Sequence, residues 1–385
     1  MPKKINDNKN KRVVVAMSGG VDSSVAAYLL KKQGYDVIGI FLKFWSPPAS
    51  VCSTKKDNLC CDMKALNQAR QLAGQLGIPF FVIDVSSQFK KDIVDYFISE
   101  YEKGRTPNPC VRCNRTIKFG LLWEKARALG ADYLATGHYV RRRGVASGKR
   151  LVTRAKRAQS SAEAIELLRS KDASKDQTYF LSQIDPRVIP HLLFPIGDMN
   201  KSEVRQIAKK AGIKVHSKKD SVGICFIPDG DTDGFLEHFS KKLRKHGEIV
   251  DKKGNILGRH EGLLGYTVGE KIGNDSLAVE YLRVANVSEL HPNGSNKRFG
   301  KLGGKDIDVP RLYIVAIDTK NNRLVIGENE DCFADHLAIK DFNVISPIFW
   351  DLVSKGEAMR FQIRGGHKAV EGHIVKLLNY SLLPV

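Results

Sequence analysis

Two nucleotide-binding signatures are missing from this chain, and their absence narrows what its glycine-rich segment can be. No glycine loop ends in Gly-Lys-Ser or Gly-Lys-Thr, so there is no Walker A loop, and no G-x-G-x-x-G marks a dinucleotide fingerprint. Long apolar runs are also lacking: none approaches the ~18–20 residues that a bilayer-spanning helix needs, so no membrane association is expected. Met1–Arg12 is polar and basic without an apolar stretch, which does not read as a secretory signal. It reads as a frayed tail before the first strand, and the expected location is cytoplasmic. Cysteines are few and odd in number, seven in 385 residues, with no spacing of a secreted disulfide framework. Nothing at zinc spacing completes Cys110-Val-Arg-Cys113 as a metal site. Cys52, Cys60, Cys61 and Cys332 read as structural or incidental. Carboxylates are the last shortage: 42 Asp+Glu against 62 Lys+Arg leave a formal net charge of +20. That surplus exceeds what solubility needs and points to a polyanionic partner. It gathers at Arg141-Arg142-Arg143, Lys149-Arg150, Arg154-Ala-Lys156-Arg157, Lys218-Lys219 and Lys241-Lys242-Leu-Arg244-Lys245. An anionic membrane surface is disfavoured, because no basic amphipathic segment carries a Trp/Phe/Leu face.

What is present begins with Ala16-Met-Ser-Gly-Gly-Val-Asp-Ser-Ser24, directly after the apolar run Val13–Val15 and before a helical stretch. Gly19 and Gly20 lack a Cβ, so the backbone can turn sharply and lie close to a ligand. Ser18, Ser23 and Ser24 add hydroxyls beside the free N–H groups of a helix start, a combination that holds a phosphate chain. The pattern Ser-Gly-Gly-x-Asp-Ser-Ser resembles the pyrophosphate loop of enzymes that split ATP between the α and β phosphates.

The first half alternates strand and helix. Apolar runs at Val13–Met17, Val37–Leu42, Phe80–Val85 and Tyr133–Thr136 read as buried parallel strands. Ser23–Lys32, Met63–Leu76, Ser87–Lys103 and Ile117–Leu129 read as helices, closed by Gly34, Gly77, Gly104 and Gly130. This predicts an α/β fold with a doubly wound parallel sheet, its ligand beyond the carboxyl ends of the strands. After about Pro228 short strand-like runs take over: Glu248–Val250, Tyr266–Val268, Leu312–Ile317, Leu324–Ile326 and Phe361–Ile363. The expected division is 1–225 for the catalytic unit, 226–308 for a small β-rich unit and 309–385 for a β-barrel-like unit. Ala155–Ala164 reads as a mobile loop.

Cys110 and Cys113 lie in Arg105-Thr-Pro-Asn-Pro-Cys-Val-Arg-Cys-Asn-Arg115, and Cys225 lies in Lys218-Lys-Asp-Ser-Val-Gly-Ile-Cys-Phe-Ile227. The prolines suggest a rigid, non-helical approach. Arg112, Arg115 and a helix start near Thr116 would favour a thiolate. Together with the Met17–Ser24 loop, Thr106-Pro-Asn-Pro109, Ala135-Thr-Gly-His-Tyr139 and Lys175-Asp-Gln-Thr-Tyr-Phe-Leu181, these motifs occur in the order of the tRNA-specific 2-thiouridylases, the MnmA family. The resemblance spans residues 12 to about 270. It implies ATP-dependent adenylation of O2 of wobble uridine 34 in the tRNA anticodon loop. Sulfur then arrives on a persulfide supplied by a sulfur-donor protein, a cysteine desulfurase or a sulfur relay, and AMP leaves. It implies Cys225 as the persulfide carrier and Cys113 as the nucleophile. The nucleotide would lie on Ala16, Met17, Ser18, Gly19, Gly20, Val21, Asp22, Ser23, Leu42 and Gly137, with Mg²⁺ shared through Asp22. Asn108, Pro109 and Cys110 would meet the target base, and His138, Lys175, Asp176, Gln177 and Arg364 would meet the tRNA. For His138 alone, a buried strand-end role is the simpler reading. The free protein is expected to be a monomer.

Departures from the family pattern open alternatives. Cys110 stands where many members carry Asp, so Cys110, Cys113 and Cys225 would form a thiol trio able to hold a [4Fe–4S] cluster with one open iron. Gly265-Tyr-Thr-Val-Gly-Glu-Lys271 lacks the family's Gln and Arg, only Arg364 matches an Arg-Tyr pair, and the last barrel is expected to be short. Three competing readings stand beside the main one: an ATP-dependent synthetase acting on a small molecule, a non-catalytic RNA-binding protein, and a degenerate tRNA-binding paralogue.

Overall fold

The structure is a computed structural model that describes residues 8–48, 63–145, 164–218, 223–241, 244–273, 275–285, 299–302, 305–346, 348–365 and 367–374. Cys52, Cys60, Cys61, the basic clusters between Lys149 and Arg157, and most of the expected loop before Ala164 lie outside these residues.

Strand β1 (Arg12–Ala16) carries Val13, Val14 and Val15, all fully buried. Its side chains feed two cores. Val14 packs with Ile38, Ile40, Leu42 and Leu134, whereas Val13 and Val15 pack with Val37, Phe41 and Ala135. A strand covered on both faces has no polar side to alternate with, which is why it reads as an unbroken apolar run. Strands β2 (Asp36–Lys43), β3 (Phe80–Asp84), β4 (Tyr133–Ala135) and β7 (Leu192–Leu193) complete an all-parallel sheet in the order β3-β2-β1-β4-β7. Helices α1 (Val21–Lys32), α2 (Met63–Leu76) and Lys201–Lys210 cover one face. The helical runs over 86–102 and 109–128 cover the other. The expected doubly wound α/β architecture is present.

Three local features depart from the sequence reading. The second pair of helical runs contains π-helical turns at Lys90–Val94 and Asn114–Leu121, and the later run begins at Pro109 rather than near Thr116. Pro109 is therefore helical: its missing N–H falls at the first helical position, where no intrahelical bond is required. A hairpin of β5 (Val140–Val145) and β6 (Ala164–Arg169) carries Arg141–Arg143. β7, two residues long, is too short to show a pattern.

In the second half, β8 (Gly247–Val250), β9 (Ile256–His260), β10 (Lys271–Ile272), β11 (Leu312–Asp318) and β12 (Arg323–Gly327) form one sheet in the order β10-β11-β12-β8-β9. A single sheet thus draws strands from both sides of residue 308. The expected strand at Tyr266–Val268 is instead a turn, in which the Thr267 N–H donates to Glu270 Oε2 at 2.9 Å. Of the expected strand at Phe361–Ile363 only Phe361 is in a strand, as the last residue of Met359–Phe361. A helix at Asp275–Ala285, unanticipated in this half, buries Leu277, Ala278 and Leu282.

An aromatic cluster fastens the segment after Cys225 to the catalytic unit. Phe226 is 2% exposed and meets Phe97 edge-on at 5.4 Å, Phe89 at 5.8 Å and Phe235 at 5.5 Å. Such pairs add to the area they bury. Phe226→Ala should lower stability by about 3–5 kcal/mol in urea unfolding; a loss under ~1 kcal/mol would show that the cluster does not anchor this segment.

Candidate active site

The glycine loop sits at the carboxyl end of β1. The Met17 N–H donates to the Ile40 carbonyl at 2.8 Å, carrying the strand pattern one residue further. Gly19 then adopts φ +70°, and a Cβ there would lie 2.2 Å from the Ala65 carbonyl oxygen. Gly20 caps α1 without a side-chain hydrogen bond. The first N–H groups of α1 therefore face the loop with no competing cap, the arrangement that receives phosphate oxygens. Inside the loop the Ser18 N–H donates to Ser23 Oγ at 3.2 Å, and Ser24 Oγ donates to the Gly20 carbonyl at 2.7 Å. Gly137 closes the site from β4: a Cβ there would lie 2.6 Å from the Ser23 nitrogen. Leu42, at the end of β2, is buried in the first core, and Met17 and Val21 are buried in the second.

Asp22 is the charged centre. Lys201 Nζ lies 2.9 and 2.8 Å from its two carboxylate oxygens, and the Tyr139 hydroxyl donates to Oδ1 at 2.8 Å. Lys201 Nζ also lies 5.7 Å from the Tyr139 ring centroid. Neither residue was expected at the site. Tyr139 ends a quoted motif, and Lys201 was signalled only by the capping box that starts its helix, in which the Asn200 N–H donates to Glu203 at 2.6 Å.

This centre is tied to the Lys175-Asp176-Gln177 segment. The Tyr139 N–H donates to Gln177 Oε1 at 2.9 Å, and the Lys201 N–H donates to Asp172 Oδ2 at 3.0 Å. Asp172 in turn caps the short turn Ala173–Lys175. Its carboxyl is held below the usual range by the Ser174 hydroxyl, with the Lys201 N–H next. Asp176 accepts from the Ser170 N–H at 2.9 Å and from the Thr178 hydroxyl at 2.7 Å.

The thiols lie on the other core. Asn108 caps the Pro109 helix, its Oδ1 accepting from the Val111 N–H at 3.1 Å. Cys113 is buried, Cys110 is half-buried, and half-buried Cys225 packs against the same core as Cys113. Among the described residues no three His, Cys, Asp or Glu side chains are arranged to hold a metal ion. The expected trio of Cys110, Cys113 and Cys225 therefore does not form a cluster-binding set here. Within the helix Cys113 is buried, whereas the Arg112 Nε donates to the Asp92 carbonyl at 2.7 Å. Arg364, in the last segment, donates to the Val268 carbonyl at 2.8 Å.

Residues 11–229 match the family described as tRNA methyl transferase HUP domain, and residues 233–292 match the tRNA methyl transferase PRC-barrel domain. The chain is 41% identical over 338 residues to the tRNA-specific 2-thiouridylase MnmA of Clostridioides difficile, covering 88% of this chain and 80% of that protein. It is 42% identical over 328 residues to the protein of the same name from Clostridium acetobutylicum, covering 85% and 79%. The chain belongs to the tRNA-specific 2-thiouridylase family.

For a member of the thiouridylase family, two placements bear on how RNA is met. Arg141–Arg143 is largely engaged within the fold: Arg141 and Arg142 donate to the carbonyls of Arg169 and Leu192, and Arg143 pairs with Glu166 at 2.6 Å. His138 is 9% exposed, with Nδ1 2.7 Å from Thr136 Oγ1 and the rings of Phe119 and Phe194 alongside. Burial, helped by the positive charge of Lys118, holds its pKa well below the ordinary value, so the ring is neutral.

That placement sets a pH dependence. The unfolded chain takes up a proton on His138 below about pH 6.5, and the folded chain does not. Stability should therefore fall as pH drops through this window. His260 is lowered by burial in the same direction, so it adds to the loss. The carboxylates with lowered values act only below about pH 4. His138→Gln should reduce the slope of unfolding free energy against pH between about 6.5 and 5 without abolishing it. An unchanged slope would show that this histidine is not held neutral.

Proposed function

We propose that this tRNA 2-thiouridylase adenylates the C2 carbonyl oxygen of the wobble uridine with ATP and replaces that oxygen by sulfur from a cysteine persulfide. The observation that carries the reading is the uncapped Ser18–Ser24 loop, with Asp22 held by a cation at its centre, in one α/β unit with the thiols Cys113 and Cys225. An amide-like carbonyl is a poor electrophile, and adenylation turns its oxygen into a leaving group. The uridine oxygen attacks the α phosphorus and pyrophosphate leaves. The terminal sulfur on Cys225 then bonds to C2, and AMP leaves with the oxygen. Cys113 attacks the Cys225 sulfur, and the electron pair of the broken S–S bond stays on the new thiocarbonyl sulfur. An external thiol reductant resets the resulting disulfide. Burial around Cys113 keeps water from competing.

The two oxygens of Asp22 already grip an ammonium, so the site fits a cation. Asp22 would hold the Mg²⁺ that accompanies ATP, and the bound ion would neutralise phosphate charge. Lys201, released from Asp22, would turn its ammonium to the phosphates. Asn108, Pro109 and Cys110 would meet the base, which must leave the stacked anticodon to be reached. Lys175–Gln177, His138 and Arg364 would support the tRNA, and the sulfur would come from a donor protein. No helix among the described residues is long and apolar enough to cross a membrane. A synthetase acting on a small molecule would not need this pair of thiols.

The decisive experiment incubates tRNA with ATP, Mg²⁺ and a persulfide source and analyses the anticodon nucleosides by mass. 2-Thiouridine should form with one AMP each, and AMP formation that ignores tRNA would overturn the reading. Asp22→Asn should cut AMP formation about 100-fold or more while tRNA affinity stays near wild type. Cys113→Ser and Cys225→Ser should each stop thiolation but leave ATP binding intact, and Cys110→Ser should keep much of the activity. Affinity for tRNA should fall steeply between low and moderate salt, since Lys and Arg contacts to phosphate release counterions.

A further inference from the structure

A cavity of about 450 Å³ opens on the face of the Pro109 helix turned away from Cys113. Asn108, Arg112, Arg115 and Thr116 line it at helical spacing, while Cys113 packs into the core behind them. Tyr96 and Tyr179 supply the facing walls. We propose that this cavity binds a nucleotide of the RNA immediately flanking the target base, the base stacking on the Arg112–Tyr96 plate and its phosphate meeting Arg115.

The plate is built in advance. The Arg112 guanidinium sits 4.4 Å from the Tyr96 ring centroid and is fixed by its bond to the Asp92 carbonyl. A guanidinium held beside an aromatic ring in this way offers a stacking surface for a splayed-out base. Arg115 is exposed and makes no ion pair among the described residues. It feels Asp185, but that carboxylate is already clasped by Arg187 at 2.6 Å. Glu100, the other acid near Tyr96, is paired with Lys103 and Arg105. The cavity therefore presents unspent positive charge beside aromatic surface, which suits an unstacked nucleotide and not a purely apolar ligand.

Its borders say which nucleotide. Asn108 belongs to the segment proposed to meet the target base. Tyr179 follows Lys175–Gln177 by two residues, and its hydroxyl donates to the Ile363 carbonyl at 3.1 Å, next to Arg364. The segments proposed to touch tRNA thus border one cavity, beside but not at the thiol. This inference rests on the proposed RNA reading.

The test is a binding cycle with anticodon stem-loops lacking the base on the 5′ or the 3′ side of the target. Wild type should lose about tenfold in affinity when one of these bases is removed. Tyr96→Ala should lose about tenfold on the intact stem-loop and then lose little more on that same abasic RNA, whereas Arg115→Ala should lose a similar factor on both RNAs because the phosphate remains. Arg115→Lys should recover part of the loss. Additive losses for Tyr96→Ala at both flanks, or no loss at either, would overturn the inference while thiolation of intact tRNA by wild type left the proposed function standing. Failure of wild type to bind or thiolate tRNA would remove both.

Discussion

Contact between backbones, with no room for a methyl group, is the constraint on which the site depends. Gly19 touches the start of α2 and Gly137 touches the first turn of α1. Both glycines stand at the carboxyl edge of a sheet whose central strands β1 and β2 are buried on both sides, so neither neighbour can retreat without opening a core. The turn at Gly19 also needs a left-handed φ, which excludes most residues on conformational grounds alone. The consequence is chemical. The helix start is held uncapped and close to β4, and Asp22 is placed where Tyr139 and Lys201 can reach it.

From there a chain of polar contacts leads outward. Gln177 holds the Tyr139 backbone, the Tyr139 side chain holds Asp22, Asp22 holds Lys201, and the Lys201 backbone is held by Asp172, which returns to the turn before Lys175. Lys201 is only 12% exposed, so its charge is tolerated because Asp22 matches it. Anything that draws Lys201 away from Asp22 must supply another cation in its place. In the proposed function a nucleotide arriving with its metal ion would do that, and it would also give Lys201 a new anion to face. The same ring places the segment proposed to meet RNA one residue from the residues that sense the phosphates.

How much of this was legible follows from what each feature leaves in sequence. Strands β1 and β2 were legible because strands buried on both faces are continuous apolar runs, and the loop because its glycines and serines stand in a strand-to-helix context; the apolar run Phe80–Val85 read as buried too, yet at the sheet edge it leaves Phe81 and Val82 exposed. Asn108-Pro109 carried a helix-start signal, yet the two prolines read together as a non-helical approach. The π turns left no signal, since they change the hydrogen-bond partner without changing the apolar spacing. Arg141–Arg143 looked like an RNA patch because linear sequence does not show that Glu166, 23 residues away, lies across a hairpin. Lys201 was hidden for the same reason: its partner lies 179 residues upstream.

The distribution of charge then acquires a physical meaning. Where cationic side chains are paired with a carboxylate, as at Arg143 and Lys201, their charge is largely cancelled and adds little to the attraction of a polyanion at long range. The surplus that remains must be borne by exposed residues, and one of these, Arg115, stands at a cavity mouth behind the thiol helix. The neutral His138 and the buried Cys113 occupy the opposite regime, with water excluded and no formal charge on the imidazole. The proposed two-step reaction needs both environments. Phosphate transfer requires fixed positive charge and oriented N–H groups, whereas sulfur transfer requires dryness. Separating them on the two faces of one sheet lets each be strong without weakening the other, provided the base is brought to their common edge. The carboxyl end of β1 and β4 is that edge, because the sheet's side chains diverge to opposite cores while its strand ends remain adjacent.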